Sequence, residues 1–80
     1  MNGFDKYLEF QFGMTGSFYT ALFQAIQQAD ESNLHRLAQG FPEEVEAYKV
    51  WSRQGQRQFL DRCSPDHPMI RRMAVKEAIL

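Results

Sequence analysis

Apolar residues recur along this chain at spacings of three and four, interrupted by glycine and proline, and that rhythm predicts short helices throughout. Phe4, Tyr7, Leu8 and Phe12 fall on one side of a first helix that Gly13 ends. Phe18, Leu22, Ala25, Ile26 and Ala29 mark a second, with the hydroxyl of Thr15 or Ser17 placed to accept from a free amide of its first turn. Met14 followed by this cap reads as a translation start, so residues 1–13 are expected to be a loosely attached extension. Asp30 or Ser32 caps a third helix carrying Leu34, Leu37 and Ala38, which Gly40 is expected to stop in the left-handed conformation that other residues avoid.

Pro42 suits the first turn of a fourth helix, where its missing N–H would have had no partner. Glu43 and Glu44 lie at the positive end of that helix dipole and Arg53 near the negative end. Val45, Ala47, Tyr48 and Trp51 form its apolar face. Gly55 breaks or bends the pattern before another short stripe of Phe59, Leu60 and Cys63. In SPDHP, residues 64–68, each proline disfavours helix in the residue before it, so a turn is expected, with Ser64 or His67 capping a last helix. Its buried stripe would be Met69, Ile70, Met73 and Ala74, and its wet side Arg71, Arg72 and Lys76. No strand run or internal repeat stands out. The expected fold is all-α, a compact bundle of four to five short helices in a single domain spanning residues 1–80.

Composition supports folding, since 44% hydrophobic residues and a net charge of −1 are not those of a disordered chain. The charge is unevenly spread. Residues 1–48 carry two basic against seven acidic side chains, a net −5, and residues 49–80 seven basic against three acidic, a net +4. One cysteine excludes an internal disulfide framework and points to a reducing compartment. With neither a signal-peptide pattern nor an apolar run of about 20 residues, a cytoplasmic protein without membrane insertion is expected.

Residues 34–55 raise the question of a helix-turn-helix, in which the second helix would bring its N-terminal residues to base edges. Those residues would be Glu43, Glu44 and Glu46, carboxylates facing a polyanion whose affinity depends on Lys and Arg. This surface suits protein better. The basic half keeps a second reading open, a small nucleic-acid-associated regulator using Arg53, Arg57, Arg71, Arg72 and Lys76. The plainer alternative is that these charges are solvated helix faces, some of them paired across the fold. Cys63 and His67, four apart, with His35 remote, fall short of the four paired ligands of a structural zinc site. Cys63 reads as a small buried apolar residue rather than a nucleophile, and the glutamates as helix-start acids rather than an acid and base pair. No catalytic residue, metal, cofactor or small-molecule substrate is expected.

Seven Phe, three Tyr and one Trp are many rings for 80 residues to hide. Phe10 and Phe23 fall off the stripes described above, and exposed aromatics favour protein interfaces. The competing view is that such rings cover core edges. The reading that follows is a non-enzymatic protein-interaction module, possible as a homodimer. It would use Phe10, Tyr19 and Phe23 together with the acidic patch Glu43, Glu44 and Glu46.

The stretches FYTALFQAI and ADESNLHRLAQGFPEEVEAY, with the early Met14, resemble small uncharacterised helical proteins encoded by bacterial phages and integrated mobile elements. The likeness covers residues 14–51 and does not extend from Ser52 onward. It carries no functional residues across. It implies a bacterial or phage cytoplasm, and a protein that acts by binding a larger one, as an adaptor or an inhibitor of a host protein.

Overall fold

The computed structural model describes residues 3–72; Met73, Ala74 and Lys76 of the last expected helix lie outside them. Five helices follow one another: α1 (Gly3–Gln11), α2 (Ser17–Gln28), α3 (Glu31–Gly40), α4 (Pro42–Gln54) and α5 (Gln56–Asp61). Residues 68–72 are helical as well, and the described residues contain no strand. The all-α bundle read from the sequence is the fold.

Local chemistry explains most of the boundaries. The Asp30 carboxylate accepts from the Asn33 N–H at 2.8 Å, satisfying one of the free donors at the start of α3. Pro42 opens α4, Glu43 and Glu44 occupy its first turn and Arg53 its last. Gly55, at φ 91°, supplies the left-handed residue that separates α4 from α5. Two expectations fail here. Gly40 does not end α3 in a left-handed conformation, because the chain turns one residue later: Phe41, at φ −132° and ψ 62°, is at once the C-cap of α3 and the N-cap of α4. Nor does a hydroxyl cap α2. Gly16 holds that position, while Thr15 and Thr20 hydrogen-bond to each other through their Oγ1 atoms at 2.7 Å.

α4 is the hub, packed against each of the other four helices. Its buried residues are Val45, Ala47 and Val50, with Tyr48 and Trp51 half-buried beside them. Against it lies α1, and here the structure overturns the picture of residues 1–13 as a loose extension. Phe4, Tyr7 and Leu8 are all buried, Leu8 completely. The Tyr7 ring sits within 4.9 Å of Phe23, 5.7 Å of Phe59, 5.8 Å of Phe10, 6.0 Å of Trp51 and 6.5 Å of Tyr48, centroid to centroid. Such pairs add to the area each ring removes from water. A periodicity argument sees each stripe singly and cannot weigh which stripe the others converge on.

The start of α1 is pinned to the start of α4. The Gly3 N–H donates to Glu43 Oε2 at 3.1 Å, and a Cβ on Gly3 would stand 2.7 Å from the Glu43 carbonyl carbon. Backbone cannot yield as a side-chain tip can. Gly3→Ala is therefore expected to destabilise the fold by about 1–3 kcal/mol, the usual cost of overpacking. Urea denaturation of the two proteins measures this, and equal midpoints would mean that α1 shifts freely on α4.

Within α2 the buried edge is Leu22, Phe23 and Ile26, with Tyr19 half-buried. The expected stripe named Phe18 and Ala25 in place of Phe23, and both are exposed. Phe12 is likewise exposed rather than part of the α1 face.

Candidate interaction surface

A helix hides its apolar stripe only where another element covers it, and three large apolar side chains are left uncovered. Phe12, Met14 and Phe18 are 53%, 64% and 59% exposed. All three lie within residues 12–18, the connection between α1 and α2 and the first turn of α2. Gly13, at φ 70°, reverses the chain there, and the Met14 N–H donates back to the Glu9 carbonyl at 2.8 Å. The reversal leaves Phe12 and Met14 past the end of α1. Phe18, on the first turn of α2, meets the Tyr19 ring edge-on at 5.3 Å and the Phe41 ring at 6.0 Å. Lys6 Nζ stands 5.2 Å from the centre of the Tyr19 ring, a cation over a π face at the border of the patch.

The residues expected to form a protein-binding surface are partly drawn into the core. Phe23 is fully buried, which removes it from any surface: its ring fills the space between Tyr7 and Phe10, at 4.9 and 5.3 Å. Phe10 and Tyr19 are half-buried, and both pack on the core. Of the acidic group, Glu43 holds the Gly3 amide, Glu44 is half-buried, and Glu46 lies 3.9 Å from Arg62 across to the end of α5. Glu43 and Glu46 therefore contribute contacts within the fold. Phe12, Met14 and Phe18 were missed as a surface because two of them sit at helical spacing with true core residues and the third passes for a start codon.

The same packing bears on the helix-turn-helix comparison. A three- to four-residue turn normally separates the two helices of that motif. Here Phe41 alone separates α3 from α4, and the buried face of α4 is taken up by packing against the other four helices. On the basic side, Arg53 stands 3.5 Å from Glu31, an exposed pair of small energetic weight. Arg57, Arg71 and Arg72 are exposed, and Lys76 lies outside the described residues.

The cysteine and histidine of the C-terminal segment do not meet in a site of their own. Cys63 is buried, and its thiol faces the carbonyls of Phe4 at 3.8 Å and Phe59 at 3.6 Å. Burial, and to a smaller degree the negative charge of Asp5, pushes its pKa up to about 12, so it is a thiol at neutral pH and a poor nucleophile. His67 instead joins Glu9, Nε2 to Oε2 at 2.9 Å, and Asp5 accepts the Ser64 N–H at 2.8 Å. Sequence separations of 58 and 59 leave no periodic signal for these links. Among the described residues no group of three or more His, Cys, Asp or Glu side chains could hold a metal ion, and no helix is long and apolar enough to cross a membrane. No protein-family model, curated protein or solved structure matches this chain.

Proposed function

We propose that this chain is a non-enzymatic helical interaction module that pairs with a second copy of itself through the turn bearing Phe12, Met14 and Phe18. The observation that carries the reading is their concentration: the large apolar side chains left exposed among the described residues all lie within residues 12–18. Methionine and phenylalanine are enriched where proteins meet, and Met adapts its shape to whatever it packs against. A second copy presents the same patch, so a two-fold arrangement covers both at once. A net charge of −1 offers little mutual repulsion to such pairing. The resemblance of residues 14–51 to small phage proteins fits a module that works by binding.

Sedimentation velocity of the full chain over a wide concentration range tests this. The expected result is a rise in apparent mass from 9.4 kDa toward twice that value. A Phe12→Ser, Met14→Ser, Phe18→Ser variant is expected to stay monomeric with its helical circular dichroism intact. A parent that remains monomeric throughout overturns the self-pairing. Binding to duplex DNA that weakens steeply with added salt would favour a nucleic-acid role instead.

A further inference from the structure

The side chain of His67 is buried and both its ring nitrogens are engaged. Nδ1 receives the Met69 N–H at 3.2 Å, and Nε2 lies 2.9 Å from Glu9 Oε2. A backbone N–H can only donate, so Nδ1 carries no proton in this arrangement. The ring is then the neutral tautomer, giving its single N–H, on Nε2, to the Glu9 carboxylate. One imidazole thus does two jobs: it caps the helical turn 68–72, to which its own carbonyl adds the bond from the Arg71 N–H at 3.0 Å, and it ties that turn to α1. Pro68 directly follows it at the first helical position, leaving the Met69 amide as the first donor of the turn.

We propose that His67 is an acid-sensitive latch: protonation at Nδ1 ends the cap on residues 68–72 and loosens that turn from α1. A proton on Nδ1 would face the Met69 N–H, two donors with no acceptor between them, at the positive end of a helical turn. The charged groups around the ring come from each element that meets it. α1 supplies Glu9, itself 3.9 Å from Lys6, and Asp5, held by the Ser64 amide. The turn before the ring supplies Asp66, which lines the same cavity, while Arg71 and Arg72 of the turn after it are exposed. Nε2–H donates to Glu9 in either state of the ring, so the effect of acid falls on the Nδ1 side. The latch borders a cavity of about 520 Å³ that His67, Pro68 and Met69 line together with Met14, Asp5 and Glu9.

Histidine is the side chain whose ordinary pKa, about 6.5, lies in the physiological range, and carboxylates titrate well below it. Amide hydrogen exchange of the full chain between pH 8 and 5, corrected for the intrinsic pH dependence of exchange, reads the cap directly. The His67 ring resonances locate its titration, and those of exposed His35 are followed separately. Protection at Met69 is expected to fall by about 2- to 30-fold as His67 gains its proton, the range that loss of a cap implies. Asn33, capped by the Asp30 carboxylate, should hold constant. His67→Asn keeps an acceptor at the cap without the titration, and should abolish the pH dependence while retaining protection. His67→Ala should lower protection at every pH. Constant protection at Met69 through the His67 titration in the parent protein would overturn the latch, however the variants fold.

Discussion

A chain that starts at Met14, lacking residues 1–13, is expected to show no cooperative unfolding transition. The truncation removes Phe4, Tyr7 and Leu8, all buried. Each such side chain contributes about 1.5–3 kcal/mol on burial. Their combined loss is comparable with the whole stability of a chain of this length, about 4–12 kcal/mol. The damage goes beyond area. Without Asp5 and Glu9 the Ser64 amide and the His67 ring lose their acceptors, and the Cys63 thiol loses the Phe4 carbonyl. Near-ultraviolet circular dichroism with a thermal scan is sufficient to read the result. A truncated protein that melts sharply near the parent's temperature would show that α1 decorates a core complete without it.

Phe59→Ala is the point substitution expected to cost most, about 3–5 kcal/mol, through lost transfer energy and the cavity left behind. Phe59 is fully buried and its ring stands 5.0 Å from Trp51, 5.4 Å from Phe4 and 5.7 Å from Tyr7. It comes from α5, a helix of six residues, too short to hold its shape alone. With this anchor gone, α5 has little else on α4 and α1 to close over the gap. In a domain of this size each kcal/mol moves the melting temperature by about 4–8 °C, so a fall well above 10 °C is expected. Phe18→Ala is the matched control: its ring is 59% exposed, and in solution dilute enough to keep copies apart a change within about 0.5 kcal/mol is expected. Equal shifts for the two would mean that α2 is turned the other way.

The contrast between those rings shows what the sequence could carry. Element boundaries were largely legible because they are local chemistry: the Asp30 carboxylate over the Asn33 amide, Pro42 in a first turn, Gly55 between two helices, His67 at the head of a last turn. Which side of a helix faces inward is a matter of its neighbours. α2 carries apolar residues at 18, 19, 21, 22, 23, 25 and 26, enough for two stripes, and its neighbours, the rings of Tyr7 and Phe10 among them, select the one through Phe23. The place of α1 was hidden for the same reason, since a short helix with four apolar residues reads alike whether it is an appendage or a centre. The candidate surface followed from what the packing left over. Phe23 went inside, and the burden of exposure passed to Phe12, Met14 and Phe18.

The acidic start of α4 points to an economy in the fold. Glu43 sits where the helix dipole favours it, accepts the Gly3 amide, and lies beside the one backbone approach that requires a glycine. Three requirements meet at one carboxylate, all of them internal. That leaves the aromatic turn, at the other end of α1, as the place where large apolar side chains remain exposed.

The direct measurement is the concentration dependence of the backbone amide resonances of the full chain. If copies pair through the aromatic turn, dilution shifts the amides of residues 12–20 and of Phe41, whose ring borders Phe18. The amides around Glu43, Glu44 and Glu46 then stay where they are. Shifts confined to those glutamates or to Arg53 and Arg57, or resonances that do not move from dilute to concentrated solution, would contradict the account.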